Sequence, residues 1–120
     1  MRRRQRPEDA IQRTVFAHFA VRGARDTYFF AVPNGGYRSP VEAKIMKGLG
    51  VHAGTPDIVI IRDGHTYCIE LKAPGGKLTA AQKEAHAALR AAGADVACAY
   101  GLDEAIKTLE QWGLLRGKAQ

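Results

Sequence analysis

Only two cysteines, Cys68 and Cys98, stand among the 120 residues, and no spacing pattern joins them. This argues against a disulfide-stapled secreted domain and for two reduced thiols buried in strand-like segments of a cytoplasmic protein. Histidine is also sparse, with four scattered residues and no neighbouring cysteine cluster, so no structural zinc site is expected. Apolar runs such as Ile58 to Ile61 are far too short to span a bilayer, and no secretory signal precedes them. Neither a membrane partner nor a small-molecule organic cofactor is expected. The chain also lacks internal repeats, low-complexity tracts and an interdomain linker. Its length suits a single domain with one core.

Basic charge is abundant. The formal net charge is +6 and the sequence pI about 9.6. Much of the excess lies in "MRRRQR", where Arg2, Arg3 and Arg4 run together. Residues 1–7 read as a flexible basic arm, either solvated or reaching toward nucleic-acid phosphates. Residues 8–115 read as the folded domain, and 116–120 as a frayed end.

Glu8 to Arg22 reads as a helix, with Pro7 and acids at its start, Ile11, Val15 and Phe19 at four-residue spacing, and Gly23 as its stop. "TYFFAV" reads as a strand closed by the turn-rich "PNGG". A second helix opens with a capping box: Ser39 at the cap, Pro40 at the first position, Glu42 three residues after the cap. Two strands follow, joined at Asp63-Gly64, a strong hairpin signal. Thr79 to Ala92 is a third helix, "DVACAY" a further strand, and Asp103 the expected cap of a last helix carrying Ile106, Leu109 and Trp112. The order is α-β-α-β-β-α-β-α. The hairpin is antiparallel and the late strand–helix–strand unit parallel, so an α/β fold with a mixed sheet flanked by helices is expected.

The hairpin places charge where a strand ought to be apolar. With Asp63 and Gly64 as the loop, Arg62 faces His65, Val59 faces Cys68, and Asp57 faces Glu70. The two carboxylates then oppose each other with Cβ atoms roughly 5 Å apart, a destabilising arrangement unless something offsets it. A raised carboxyl pKa is one remedy and a bound divalent cation the other. Two carboxylates with backbone carbonyls nearby suit magnesium. Lys72, two residues beyond Glu70, projects from the same face. As a surface partner for Glu70 it would be worth little; beside a metal it can hold a water or meet charge developing on a phosphoryl group. Gln82 closes a capping box with Thr79 in "TAAQ", yet its helix is tethered to the Lys72 strand by the short "APGGKL", so its amide also stands near the acids.

"GTPD" followed by "IELK" across a hairpin resembles the bipartite signature of PD-(D/E)xK nucleases. Its surroundings, "PNGG", "GVHAGTPD", "ELKAPGGKLTAAQ" and "AAGADVACAYGLDEAI", are similar to those of a VRR-NUC (virus-type replication–repair nuclease) domain. The resemblance runs from about Glu8 to Trp112. It implies a restriction-endonuclease-like fold and metal-dependent cleavage of phosphodiester bonds, with Asp57, Glu70 and the backbone of Leu71 holding Mg²⁺ (or Mn²⁺) and Lys72 as the catalytic lysine. Gln82 matches the family's glutamine on the following helix, and Glu8 its N-terminal acidic position, where it would bind a second ion or a metal-bound water. Stand-alone members imply branched DNA such as Holliday junctions, a role in DNA repair, and a homodimer for paired incisions. Phosphate contacts are expected from Arg2, Arg3, Arg4, Arg38, Lys44, Lys47 and Lys77. Two rivals stand beside this reading: a non-catalytic basic DNA-binding module, and a nuclease for flaps, ends or plain duplex.

Overall fold

A computed structural model describes residues 6–33 and 39–117. Eight elements follow the expected order: α1 (Pro7–Arg22), β1 (Thr27–Ala31), α2 (Pro40–Gly48), β2 (Ile58–Arg62), β3 (His65–Lys72), α3 (Ala80–Ala91), β4 (Asp95–Tyr100) and α4 (Leu102–Gln111). The strands form one mixed sheet in the order β1-β2-β3-β4, antiparallel for the first two pairings and parallel for the last.

The hairpin register is the one counted from the sequence. Arg62 pairs with His65 and Val59 with Cys68, while Asp63 (φ 52°) and Gly64 (φ 75°) turn the chain. Two successive positive φ values match the right-handed twist of the strands, and Asp-Gly supplies them at low cost.

One sheet face carries the core. Ile58, Ile60, Ile69 and Leu71 are 2% exposed or less and pack with Val15 and Phe19 of α1, Leu109 of α4, and Leu114. Phe19 stacks on Phe29 of β1 with ring centroids 4.3 Å apart, closing the end of this layer. Each fully buried aliphatic side chain contributes roughly 1.5–3 kcal/mol. The helix ends differ from expectation in two places. Gly101 (φ 96°), not Asp103, caps α4: its N–H is held by the carbonyl of Lys72, so the helix starts two residues early and Asp103 falls in its first turn. At α2, Ser39 Oγ accepts from the Glu42 N–H, but the Glu42 carboxylate returns to the Ser39 hydroxyl rather than to its backbone. Helix α2 has no buried residue and leaves Val41, Ile45 and Leu49 exposed.

Arg116 is bound back to α1: its N–H donates to the Arg22 carbonyl and its guanidinium to that of Val21. Among the described residues, no helix is long and apolar enough to cross a membrane.

Candidate active site

The opposite face of the sheet bears the charge. Alternation along β3 that sends Ile69 and Leu71 into the core sends Cys68, Glu70 and Lys72 the other way. Helix α3 covers this side, tied to β3 by the parallel crossover into β4.

Asp57 lies one residue ahead of β2, and extending the ladder by one step puts it opposite Glu70. Its backbone carbonyl accepts from Val32, next to β1, while its Oδ2 accepts from the Leu71 N–H at 2.8 Å. The Asp57 side chain thus replaces a backbone partner at the ladder's end, which fixes the carboxylate beside β3. Asp57 and Glu70 are 6% and 3% exposed. The Glu70 carboxyl is pushed up to about 9, first by burial, then by the hydrogen bond and negative charge of Asp57; Lys72 and Arg6 pull the other way. A proton therefore sits where a cation would serve as well.

Both Glu70 oxygens meet polar side chains of α3. Gln82 Nε2 donates to Oε2 at 3.3 Å, and His86 Nε2 lies 3.2 Å from Oε1. Gln82 performs both roles weighed for it: its Oε1 accepts from the Thr79 N–H at 2.9 Å, and its amide nitrogen reaches Glu70. His86 is 1% exposed, and burial lowers its pKa, which favours the neutral ring.

Gly54 makes this convergence sterically possible. At φ 80° it carries the "GTPD" loop over the first turn of α3, where a Cβ would meet the Ala81 carbonyl at 2.3 Å and the Gln82 nitrogen at 2.7 Å. Any side chain there would push the loop and helix apart.

Gly54, Asp57, Glu70 and Gln82 line a cavity of about 1100 Å³ together with Leu71, Lys72, Glu8, Lys47 and Arg6; His86 is not in its lining. Glu8 Oε2 accepts from the Ala73 N–H at 3.4 Å, at the exit of β3. Among the described residues, no three acids, histidines or cysteines converge to hold an ion, so side-chain ligation rests on the Asp57–Glu70 pair. A hard divalent cation fits that pair: the donors are oxygens, and their mutual repulsion is otherwise relieved only by a proton. Lys44 and Lys77 are exposed and lie outside the lining. Arg2, Arg3, Arg4 and Arg38 fall outside the described residues.

The VRR-NUC domain model matches residues 6–103, more than four-fifths of the chain. The chain belongs to the VRR-NUC domain family. A solved structure described as a VRR_NUC domain protein shares 29% sequence identity with it, covers 98% of both chains and superposes with a TM-score of 0.75. No curated protein matches the chain. Family membership makes this a nuclease-type domain with DNA as its substrate class.

Two residues of the site escaped the sequence reading. Arg6, the fourth arginine of the arm, lines the cavity with a buried Nε that has no hydrogen-bond partner among the described residues. Its contact with Pro7 and Glu8 at the start of α1 was the available signal. His86 follows Gln82 by four residues, so a helical wheel already places both on one face.

Proposed function

We propose that this VRR-NUC domain is a divalent-metal-dependent endonuclease that hydrolyses DNA phosphodiester bonds, with branched DNA such as a Holliday junction as its preferred substrate. The observation that carries this is the buried Asp57–Glu70 pair, set opposite one another at the end of the β2–β3 ladder in the lining of a cavity shared with Lys72 and Arg6.

Asp57 and Glu70 would hold Mg²⁺ or Mn²⁺, with the Leu71 backbone beside them. Bound there, the ion supplies Lewis-acid polarisation of a phosphate and a more acidic water. Arg6 offers a phosphate oxygen a buried Nε without a partner among the described residues, a contact that guanidinium groups make well. Lys72 shares the face of Glu70 and meets the charge that grows on the phosphoryl oxygens. Gln82 and Glu8 orient groups at the rim. Lys47, in the lining, and Lys44 and Lys77, outside it, extend positive charge along the approach.

Branched DNA is the reading favoured by charge without a base-reading element: the basic groups address phosphates, which report shape rather than sequence. One chain carries one such cavity, so paired incisions call for a homodimer, and the exposed Val41, Ile45 and Leu49 of α2 are apolar surface open to such a contact. Equilibrium sedimentation with and without a junction tests this; a monomer in both would refute it. Labelled junction, flap, single-stranded and duplex DNAs, each with and without Mg²⁺ or Mn²⁺, test the activity beside Asp57→Ala. Cleavage that requires the ion and is lost in the variant is expected. Metal-independent binding with no product in any lane would leave a basic binding module, and equal cutting of plain duplex would remove the branch preference.

A further inference from the structure

We infer that His86 is a positioning residue for Glu70, holding that carboxylate in the orientation that faces Asp57. The inference rests on the reading of Asp57 and Glu70 as cation ligands and goes beyond it by assigning the group that fixes the second ligand.

Among the described side chains of α3, His86 alone is buried. Packing by itself would favour an aliphatic residue there, since a buried imidazole without a partner costs free energy. The ring instead aims Nε2 at Glu70 Oε1, 3.2 Å away. Gln82, one turn earlier, takes Oε2 at 3.3 Å, and its amide orientation is locked because its Oε1 is committed to the Thr79 N–H. Two donors on one helical face thus meet two oxygens of one carboxylate. A glutamate on a strand otherwise retains three side-chain torsions; these contacts select one arrangement.

Neighbouring groups do not take over this work. Cys98 stands beside Glu70 in the parallel register, but its side chain hydrogen-bonds Tyr100. Lys72 acts on Glu70 through charge, without a hydrogen bond among the contacts of that carboxylate. His86 is not placed as a third ligand, because its Nε2 is turned onto the carboxylate oxygen and no three such groups among the described residues converge on one point. Partners that orient ligating groups in this manner typically change metal affinity about 10–100-fold when removed.

The test compares His86→Met and His86→Leu, which fill the space without a donor, with His86→Gln, whose amide nitrogen restores one. Mn²⁺ binding to the DNA-free protein is measured by calorimetry or electron paramagnetic resonance, with thermal melting as the control for folding. Junction cleavage is then followed against both Mn²⁺ and DNA concentration. Folded donor-free variants should bind Mn²⁺ about 10–100-fold more weakly, with His86→Gln recovering most of the loss and the KM for DNA unchanged in all three. Wild-type affinity in a folded donor-free variant would overturn the assignment alone, as would a folded His86→Gln no better than His86→Leu. Failure of the wild-type protein to bind Mn²⁺ would overturn both this assignment and the reading of the acid pair.

Discussion

On one face of β2 and β3, Ile58, Ile60, Ile69 and Leu71 lie almost wholly buried beneath α1 and α4; on the other, Asp57, Cys68 and Glu70 are nearly as deeply buried beneath α3. Burial of similar depth has opposite consequences. The first face removes apolar surface from water and stabilises the fold. The second takes two acids out of water, and the structure accommodates them with a raised Glu70 pKa, an amide, an imidazole and a loop glycine. Strand periodicity lets both coexist, since adjacent residues of one strand serve different ends.

The sharpest way to break this comparison is to substitute once on each face. Lys72→Ala should lower the cleavage rate on the order of 10²–10³-fold while leaving DNA binding and the melting temperature nearly unchanged. Ile69→Ala, its near neighbour on the core face, should cost about 2–5 kcal/mol of stability while the folded fraction still cleaves. Rate assays beside denaturant titrations would read both. Equal losses of stability from the two would mean that the faces do not divide their work.

Gly54→Ala tests the boundary between the faces. The added methyl would meet the α3 backbone within 2.3–2.7 Å at a φ unfavourable to any L side chain. A loss of roughly 1–3 kcal/mol is expected, and with it a fall in cleavage, because Gln82 and His86 move away from Glu70. Unchanged stability and rate would show that the loop and helix need not approach so closely.

Much of this was legible beforehand, for identifiable reasons. Asp63-Gly64 is a local signal that fixes a non-local register, so the opposition of Asp57 and Glu70 could be counted on paper, and the ladder has that register. Gln82 was placed near the acids by its short tether from β3. His86 was not: its four-residue spacing from Gln82 sets both on one helical face, but that this face meets Glu70 depends on the crossover that lays α3 across β3. The start of α4 was misplaced by two residues for a related reason. Asp103 has the composition of a cap, but the tertiary bond from the Gly101 N–H to the Lys72 carbonyl decides where the helix begins.

pH should separate the two faces as well, through the proton held by Glu70. In the folded, metal-free protein Glu70 keeps its proton to about pH 9, whereas in the unfolded chain it releases it near 4.5. Between those values the folded state binds more protons, so stability should fall as pH rises, with a limiting slope of about 1.4 kcal/mol per pH unit from this group. His86 acts in the opposite sense: its lowered pKa withdraws stability on acidification below its usual 6.5, and the raised Cys68 and Cys98 thiols begin to act only toward pH 9, so pH 7–8 isolates the glutamate. Urea titrations across that window should show wild-type stability declining and Glu70→Gln staying nearly flat, because the amide keeps the shape and cannot ionise. Added Mn²⁺ should stabilise the wild type increasingly toward pH 9, as a cation in place of the proton requires. Matching slopes for wild type and Glu70→Gln would mean that the buried pair carries both charges unaided, and the two faces would then differ far less than their contacts imply.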